Sequence, residues 1–334
     1  MAIAEALLTV RDKRTIDRRL VAIGLALPAL AALYGFVRMR SVDATVAAAP
    51  PVKVGIVQDN MPLFDRKTSV AVHKRLTREL REAGVELVVW SEAAITRSFL
   101  EPRYENDVRA GLTADLGIPT IVGTVLHRPG NGGERGRSFN TALMAGEDGT
   151  ILGRYDKQFL LMFGEYLPFG ETIPILYKWS PNSGRFTPGE SIEPLPWHDH
   201  RIAALICYED ILPSFVNKVV GHGNPDLLVN MTNDAWFGDS TEPWIHLALA
   251  KLRAVEHRRY LVRATNSGVS AIVDPVGRLI AHGATFATEK VVGEVRFLRA
   301  STVYETIGDI PWYLAAVVIA AMSVFTKPRA SKPS

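Results

Sequence analysis

Three residues with reactive side chains each close an apolar run. Glu92 ends LVVWSE, Lys157 ends ILGRYDK, and Cys207 ends RIAALIC before Tyr208, Glu209 and Asp210. A thiol needs a base to become a nucleophile, and a partly desolvated carboxylate can be that base. A nearby ammonium lowers a thiol pKa and can hold a developing oxyanion. The three types together therefore form a coherent set for nucleophilic catalysis. Cys207 also falls at an expected strand-to-helix turn, where the N–H of Tyr208 can join an oxyanion hole. Taken singly, each residue has a plainer reading: Glu92 as a helix cap, Lys157 as a solvated strand end, Cys207 as a small buried hydrophobe. Their combination is what favours chemistry. Cys207 is the only cysteine, so an intrachain disulfide and any multi-cysteine metal or iron–sulfur site are excluded.

The elements that must position these residues follow from hydrophobic patterning. Residues 52–57, 86–90 and 118–126 read as strands, with amphipathic helices at 70–83 and 104–116 between them. Residues 139–144 and 151–155 flank the turn Gly146-Glu147-Asp148-Gly149 and read as a hairpin. The order then recurs: strand 201–206, helix 211–220, strand 227–231, a long helix 244–260, and strand-like segments at 261–264, 270–273, 279–282 and 291–297. Alternating strands and helices with hairpins predict an α/β domain built on mixed sheet. All three reactive residues then stand at C-terminal strand ends, where such folds expose their sites.

A chain of 334 residues with 47% hydrophobic content can bury a full core. The formal charge of +3 is small and its basic residues are scattered, so no nucleic-acid footprint is present. Two apolar segments bracket the chain. Residues 20–37 run 18 positions without a charge, interrupted only by Pro28, and read as a transmembrane helix. Arg11, Lys13, Arg14, Arg18 and Arg19 precede it, against Arg38 and Arg40 after it, which orients residues 1–19 to the cytoplasm. A cleaved signal peptide fits less well, because Arg38, Arg40 and Asp43 intervene before the small residues Ala47, Ala48 and Ala49. Residues 310–325 form a second, shorter span, opened by Pro311, Trp312 and Tyr313 and followed by Lys327, Arg329 and Lys332 in a cytoplasmic tail, 326–334. A linker at 38–51 and a catalytic domain at 52–305, outside the membrane, complete this division.

The segments LVVWSEAAI around Glu92, FGEYLPFG downstream of Lys157, and ALICYED around Cys207 resemble the Glu, Lys and Cys motifs of the nitrilase (carbon–nitrogen hydrolase) superfamily, in that family's chain order. LLVNMTNDAWFGDS and the sequence on to Gly277, with VYETIGDIPWYL before the last apolar run, are similar to the apolipoprotein N-acyltransferase branch. The resemblance implies a nitrilase-like four-layer αββα sandwich flanked by one N-terminal and one C-terminal transmembrane helix. It implies catalytic Glu92, Lys157 and Cys207, with Glu165 orienting the lysine and Tyr208, Glu209 and Trp236 matching other site residues. The implied reaction passes a fatty acyl group from a phospholipid, through a Cys207 thioester, to the N-terminal amine of diacylglyceryl-cysteine in an apolipoprotein. No metal or organic cofactor is implied. The implied location is a bacterial inner membrane with the catalytic domain periplasmic.

The sequence departs from that pattern in places. The branch carries several membrane helices before the catalytic domain, against one segment here at 20–37, which makes a separate membrane subunit a further partner to expect. QDNMPLFDRK, 58–67, lacks the expected glycine and tryptophan and offers Asp59 and Phe64; Leu161-Met162 stands where Val-Pro is usual. Two other readings stay open: a membrane-anchored amidase or hydrolase in which water resolves the acyl-enzyme, and a catalytically idle scaffold. His198-Asp199-His200 has a metal-like spacing that is expected to be plain surface. Arg253, Arg258, Arg259 and Arg263 are expected to be solvated or paired, with phospholipid headgroups as a minority role.

Overall fold

A computed structural model describes residues 18–61, 69–95, 97–132 and 134–325. Of the basic residues used for the expected orientation, Arg11, Lys13, Arg14, Lys327, Arg329 and Lys332 lie outside them, as does Phe64. The chain divides into two compact units, 1–49 and 50–334.

In the first unit, helix α1 (Arg18–Ala48) runs 31 residues with Pro28 inside. The expected linker at 38–51 is therefore helical as far as Ala48. Leu25, Leu27, Leu30 and Leu33 are well exposed along it. Its 24–48 stretch is long and apolar enough to cross a membrane, the one such helix among the described residues. At 1.5 Å per residue that stretch spans roughly 37 Å, against about 30 Å of hydrocarbon.

The second unit holds two mixed sheets. The strands of the first are β1 (Val52–Gln58), β2 (Leu87–Val89), β3 (Ser98–Leu100), β4 (Thr120–Arg128), β5 (Arg137–Ala145) and β6 (Ile151–Asp156). Those of the second are β7 (Leu195–Trp197), β8 (His200–Ile206), β9 (Leu227–Thr232), β10 (Leu261–Thr265), β11 (Ala271–Val273) and β12 (Leu279–His282). The last strand, β13 (Glu289–Val295), returns to the first sheet, giving the order β13-β1-β2-β4-β5-β6 with β3 also on β4. The second sheet runs β12-β11-β10-β9-β8-β7. Each has a parallel centre, β1-β2-β4 and β8-β9-β10, with antiparallel strands outside it and the short β3 parallel to β4. The central strands are the apolar runs of the sequence. Every residue of β9 is buried, as expected of a strand covered on both faces.

Helices cover one face of each sheet. Helix α2 (Ser69–Glu82) sets Leu76 and Leu80 against Val57, Val88, Val122 and Leu143. Trp90 joins that cluster and donates Nε1–H to Thr77 Oγ1 at 2.9 Å. The helix expected at 104–116 is α3 (Tyr104–Val108) continued by a π turn, Arg109–Thr113. Helix α4 (Ile175–Trp179) lies in the long 158–194 connection from β6 to β7, which carries no periodic apolar pattern. Helix α5 (Pro213–Gly223) begins on a proline and ends at Asn224 in left-handed conformation. It packs Phe215, Val216 and Val219 with Leu247, Ala250 and Ala254 of α6 (Glu242–His257) over Ala203, Leu205, Leu228 and Leu261. Each large side chain so buried contributes about 1.5–3 kcal/mol. The sheets are stitched by Gln58 at the end of β1. Its Oε1 accepts from Thr265 Oγ1 at 3.2 Å and Ser270 N at 3.3 Å. The chain closes through α7 (Val303–Ile307), capped by Thr302 and Glu305, and α8 (Ile310–Phe325), 16 residues with exposed apolar side chains.

Candidate active site

Strand β8 runs without interruption into a 3₁₀ turn, Cys207–Ile211, and then α5. Cys207 has φ = +54°, a left-handed conformation that costs a non-glycine residue roughly 1–3 kcal/mol. Two polar groups hold it there. Glu209 turns back so that its Oε2 accepts the Ile206 N–H at 2.7 Å. Asn230 Nδ2, from the neighbouring strand β9, donates to the Cys207 carbonyl at 3.1 Å. The Thr232 side chain, which donates to Asp234 at 3.2 Å, lies near the thiol and acts to lower its pKa.

Glu92 and Lys157 reach the same region from the first sheet. Glu92 follows β2, ahead of Ala93, which also has positive φ, 43°. Gly123 of β4 lets that turn approach, because a Cβ there would collide with the backbone of Ser91 and Ala93. Lys157 is one residue past β6, with its N–H donated to the Asn140 carbonyl at 2.8 Å. Its ammonium is 1% exposed and lies 2.8 Å from Glu165 Oε2 and 3.4 Å from Glu92 Oε1. Asn140 Nδ2 donates to both carboxylates, at 2.8 Å to Glu92 and 3.0 Å to Glu165. Glu165 Oε2 also accepts the Leu161 N–H at 2.8 Å. One buried ammonium therefore sits between two carboxylates whose spacing an asparagine fixes.

Electrostatics follow from this crowding. Burial opposes the charge on Lys157, but Glu92, the Cys207 sulfur and Glu165 outweigh it and raise its pKa, so it stays protonated. The protein around the Cys207 sulfur, though the residue is partly exposed, pushes the thiol up; the Glu92 charge adds to this, and Lys157 and Thr232 act against it. The resting thiol is thus neutral, and a nucleophile forms only when a neighbour takes its proton. The carboxylate can accept a proton, and the ammonium can hold an oxyanion in a low-dielectric setting.

Glu209 is fully buried and ties the lysine segment to the cysteine turn. Besides Ile206 N–H it accepts Gln158 N–H at 2.6 Å, Phe159 N–H at 3.0 Å and the Tyr155 hydroxyl at 2.8 Å. Burial pushes its carboxyl up to about 7, with these donors pulling the other way. Beneath the turn lies a second buried set. Arg263 donates to Asp210 at 2.7 Å, to Asn230 at 2.7 Å and to Asp234 at 3.0 Å. His246 bridges the same two carboxylates, Nε2 to Asp210 at 2.9 Å and Nδ1 to Asp234 at 3.2 Å. Burial and the Arg263 charge disfavour a protonated ring, but Asp210 and Asp234 outweigh them and push His246 up to about 9. Asp234, Glu242 and His246 bring ligand atoms within 4.8 Å of one another. In the described structure Asp234 and His246 of this trio are engaged in the ion-pair network with Arg263 and Asp210.

The structure thus brings Glu92, Lys157, Glu165, Cys207 and Glu209 together. Tyr208 and Trp236 stand at the surface, 43% and 63% exposed, outside that hydrogen-bonded set among the described residues. Trp236 belongs to the turn Asp234–Phe237, capped by Asn233. His198 and His200 are spent on ring stacking with Trp197 and Phe297. Of the arginines proposed for headgroups, Arg259 and Arg263 are fully buried and paired, and Arg253 is 4% exposed, which removes them from that role. Sequence reasoning missed Asn140, Asn230, Thr232, Asp210 and His246. The one signal available for Asn140 and Asn230 is a polar side chain inside an otherwise apolar strand.

A model of the carbon-nitrogen hydrolase family matches residues 53–303. An apolipoprotein N-acyltransferase of Geobacter metallireducens is 36% identical over 302 residues, 87% of this chain and 56% of that protein. One from Rhodopseudomonas palustris is 31% identical over 335 residues, covering 95% and 61% respectively. The chain thus spans little more than half the length of these relatives. Among solved structures, an amidase from Nesterenkonia in complex with acrylamide superposes with a TM-score of 0.55 at 21% identity, over 79% of this chain and 97% of that one. A carbon-nitrogen hydrolase from Helicobacter pylori gives 0.55 at 16%, over 83% and 99%. Both speak to the fold alone.

Proposed function

The chain belongs to the carbon–nitrogen hydrolase family, and on that premise we propose that it is a membrane-bound N-acyltransferase acting on lipoproteins. The observation that carries this is the buried cluster itself: Lys157 held 2.8 Å from Glu165 and 3.4 Å from Glu92, beside a cysteine strained into positive φ. Glu92 takes the Cys207 proton as sulfur attacks the ester carbonyl of a phospholipid. The C–S bond forms, and Lys157 with the Tyr208 N–H holds the oxyanion. The ester C–O bond then breaks, Glu92 returns the proton to the departing lysophospholipid oxygen, and a thioester remains. In the second half, the α-amine of a diacylglyceryl-cysteine attacks the thioester. The C–N bond forms, the C–S bond breaks, and the amine proton passes by way of Glu92 to the sulfur. Glu165 orients the lysine, Glu209 the turn, and exposed Tyr208 and Trp236 line the approach.

The same reading makes the two sheets, with a helical cover on one face of each, a four-layer αββα sandwich. It makes α1 and the shorter α8 membrane spans, with 52–305 between them on the periplasmic side of a bacterial inner membrane. The relatives' names and the apolar exposure of both helices support this.

The test uses phosphatidylethanolamine labelled in its acyl chain, presented to the membrane-embedded protein. Label should appear on wild type as a hydroxylamine-sensitive adduct, be absent from Cys207→Ala, and move to the amine of an added diacylglyceryl-cysteine peptide. Release as free fatty acid despite the peptide would replace transferase with hydrolase. Absence of label on folded protein would sink phospholipid acyl transfer by this chain alone.

A further inference from the structure

The acyl donor named above carries a phosphate, and three of the four arginines that sequence reasoning offered for it, Arg253, Arg259 and Arg263, are buried elsewhere. A cavity of about 560 Å³ in the 50–334 unit presents three others, Arg135, Arg137 and Arg185, with Tyr166, Tyr177 and Phe159 among its walls. Its charge is unbalanced. Arg135 pairs with Glu171 at 2.7 Å, the one carboxylate lining the cavity. Arg137 is held loosely, 3.7 Å from Glu190. Arg185 lies over the Tyr177 ring, its guanidinium carbon 3.8 Å from the centroid, with no carboxylate at ion-pair distance among the described residues. A guanidinium held over an aromatic ring can still offer N–H groups to a planar or tetrahedral oxyanion.

The remaining walls combine aromatic and aliphatic residues with Gln158 and Thr187, and Phe159 links them to the cluster described above. Phe159 is two residues past Lys157, donates its N–H to Glu209, and sets its ring 4.7 Å from Phe215 at the start of α5. A cavity lined by two loosely held guanidinium groups together with aromatic and aliphatic side chains suits an amphiphile bearing an oxyanion better than a bare ion or a neutral lipid.

We propose that this cavity binds the phosphodiester of the phospholipid acyl donor, with Arg185 and Arg137 as its phosphate contacts. The inference rests on the acyl-transfer reading for its biological ligand, but its test does not depend on chemistry. The full-length Cys207→Ala protein in detergent is titrated with dihexanoyl phosphatidylglycerol, dihexanoylglycerol and inorganic phosphate, each followed by calorimetry. Saturable binding of the phosphatidylglycerol is expected, with dihexanoylglycerol and inorganic phosphate at least tenfold weaker. Adding Arg137→Gln or Arg185→Gln should weaken the phospholipid about tenfold per guanidinium removed, while leaving dihexanoylglycerol unchanged. Inorganic phosphate binding as tightly as the lipid would make this a free-anion site and overturn the proposal. So would phospholipid affinity that ignores both substitutions, or a loss equal for the charged and neutral lipids. Because Cys207 is absent throughout, a failure here is separable from a failure of acyl transfer.

Discussion

At the scale of single residues, polar side chains without a spacing signature do much of the positioning. Glu92, Lys157 and Cys207 could be read from the sequence because each ends an apolar run. Asn140 and Arg263 could not, because what gives them meaning is a partner on another strand: Glu92 and Glu165 for the first, Asp210 and Asp234 for the second. Glu209 matters through four donors drawn from two segments, so an amide there turns an N–H against an N–H. Glu209→Gln should cost about 1–3 kcal/mol in denaturant unfolding. It should also slow Cys207 acylation with little change in phospholipid KM, a split that general destabilisation would not give. His246 makes a pH prediction with a fixed sign. Its pKa is raised from 6.5 to about 9, so its contribution is fully present below 6.5 and lost as pH climbs through 9. Roughly 3 kcal/mol is involved. The urea midpoint of wild type should fall across that window, and His246→Gln should flatten the dependence; an unchanged slope would dissociate His246 from the two carboxylates.

At the scale of elements, sequence periodicity located most of the central strands and the helices over them, because continuous valine-rich runs and 3.6-residue spacing are local signals. The 158–194 connection was opaque for the converse reason: it has one short helix, α4, and its order comes from contacts such as Ser183 Oγ to the Phe163 carbonyl at 2.7 Å. Backbone closeness was equally invisible. Gly123 looks like an ordinary strand glycine, yet the Glu92 turn sits where its Cβ would be. Gly123→Ala should therefore keep the fold, as judged by circular dichroism, and lower the rate of Cys207 labelling at least tenfold by displacing Glu92. A variant labelled at the wild-type rate would show that the Glu92 turn tolerates movement.

At the scale of the whole molecule, the chain joins a long exposed apolar helix to a domain whose cluster is assembled from both sheets: Glu92, Lys157 and Asn140 from one, Cys207, Asn230 and Thr232 from the other. The acyl-transfer account stands most directly on one covalent bond. Intact-protein mass spectrometry with peptide mapping, after exposure to phosphatidylethanolamine without an acceptor amine, reads that bond. The account predicts a single acyl increment on the peptide holding Cys207, formed about a hundredfold or more slowly in Glu92→Gln and lost on adding hydroxylamine. An increment that persists in Cys207→Ala, or that maps to another residue, would contradict it.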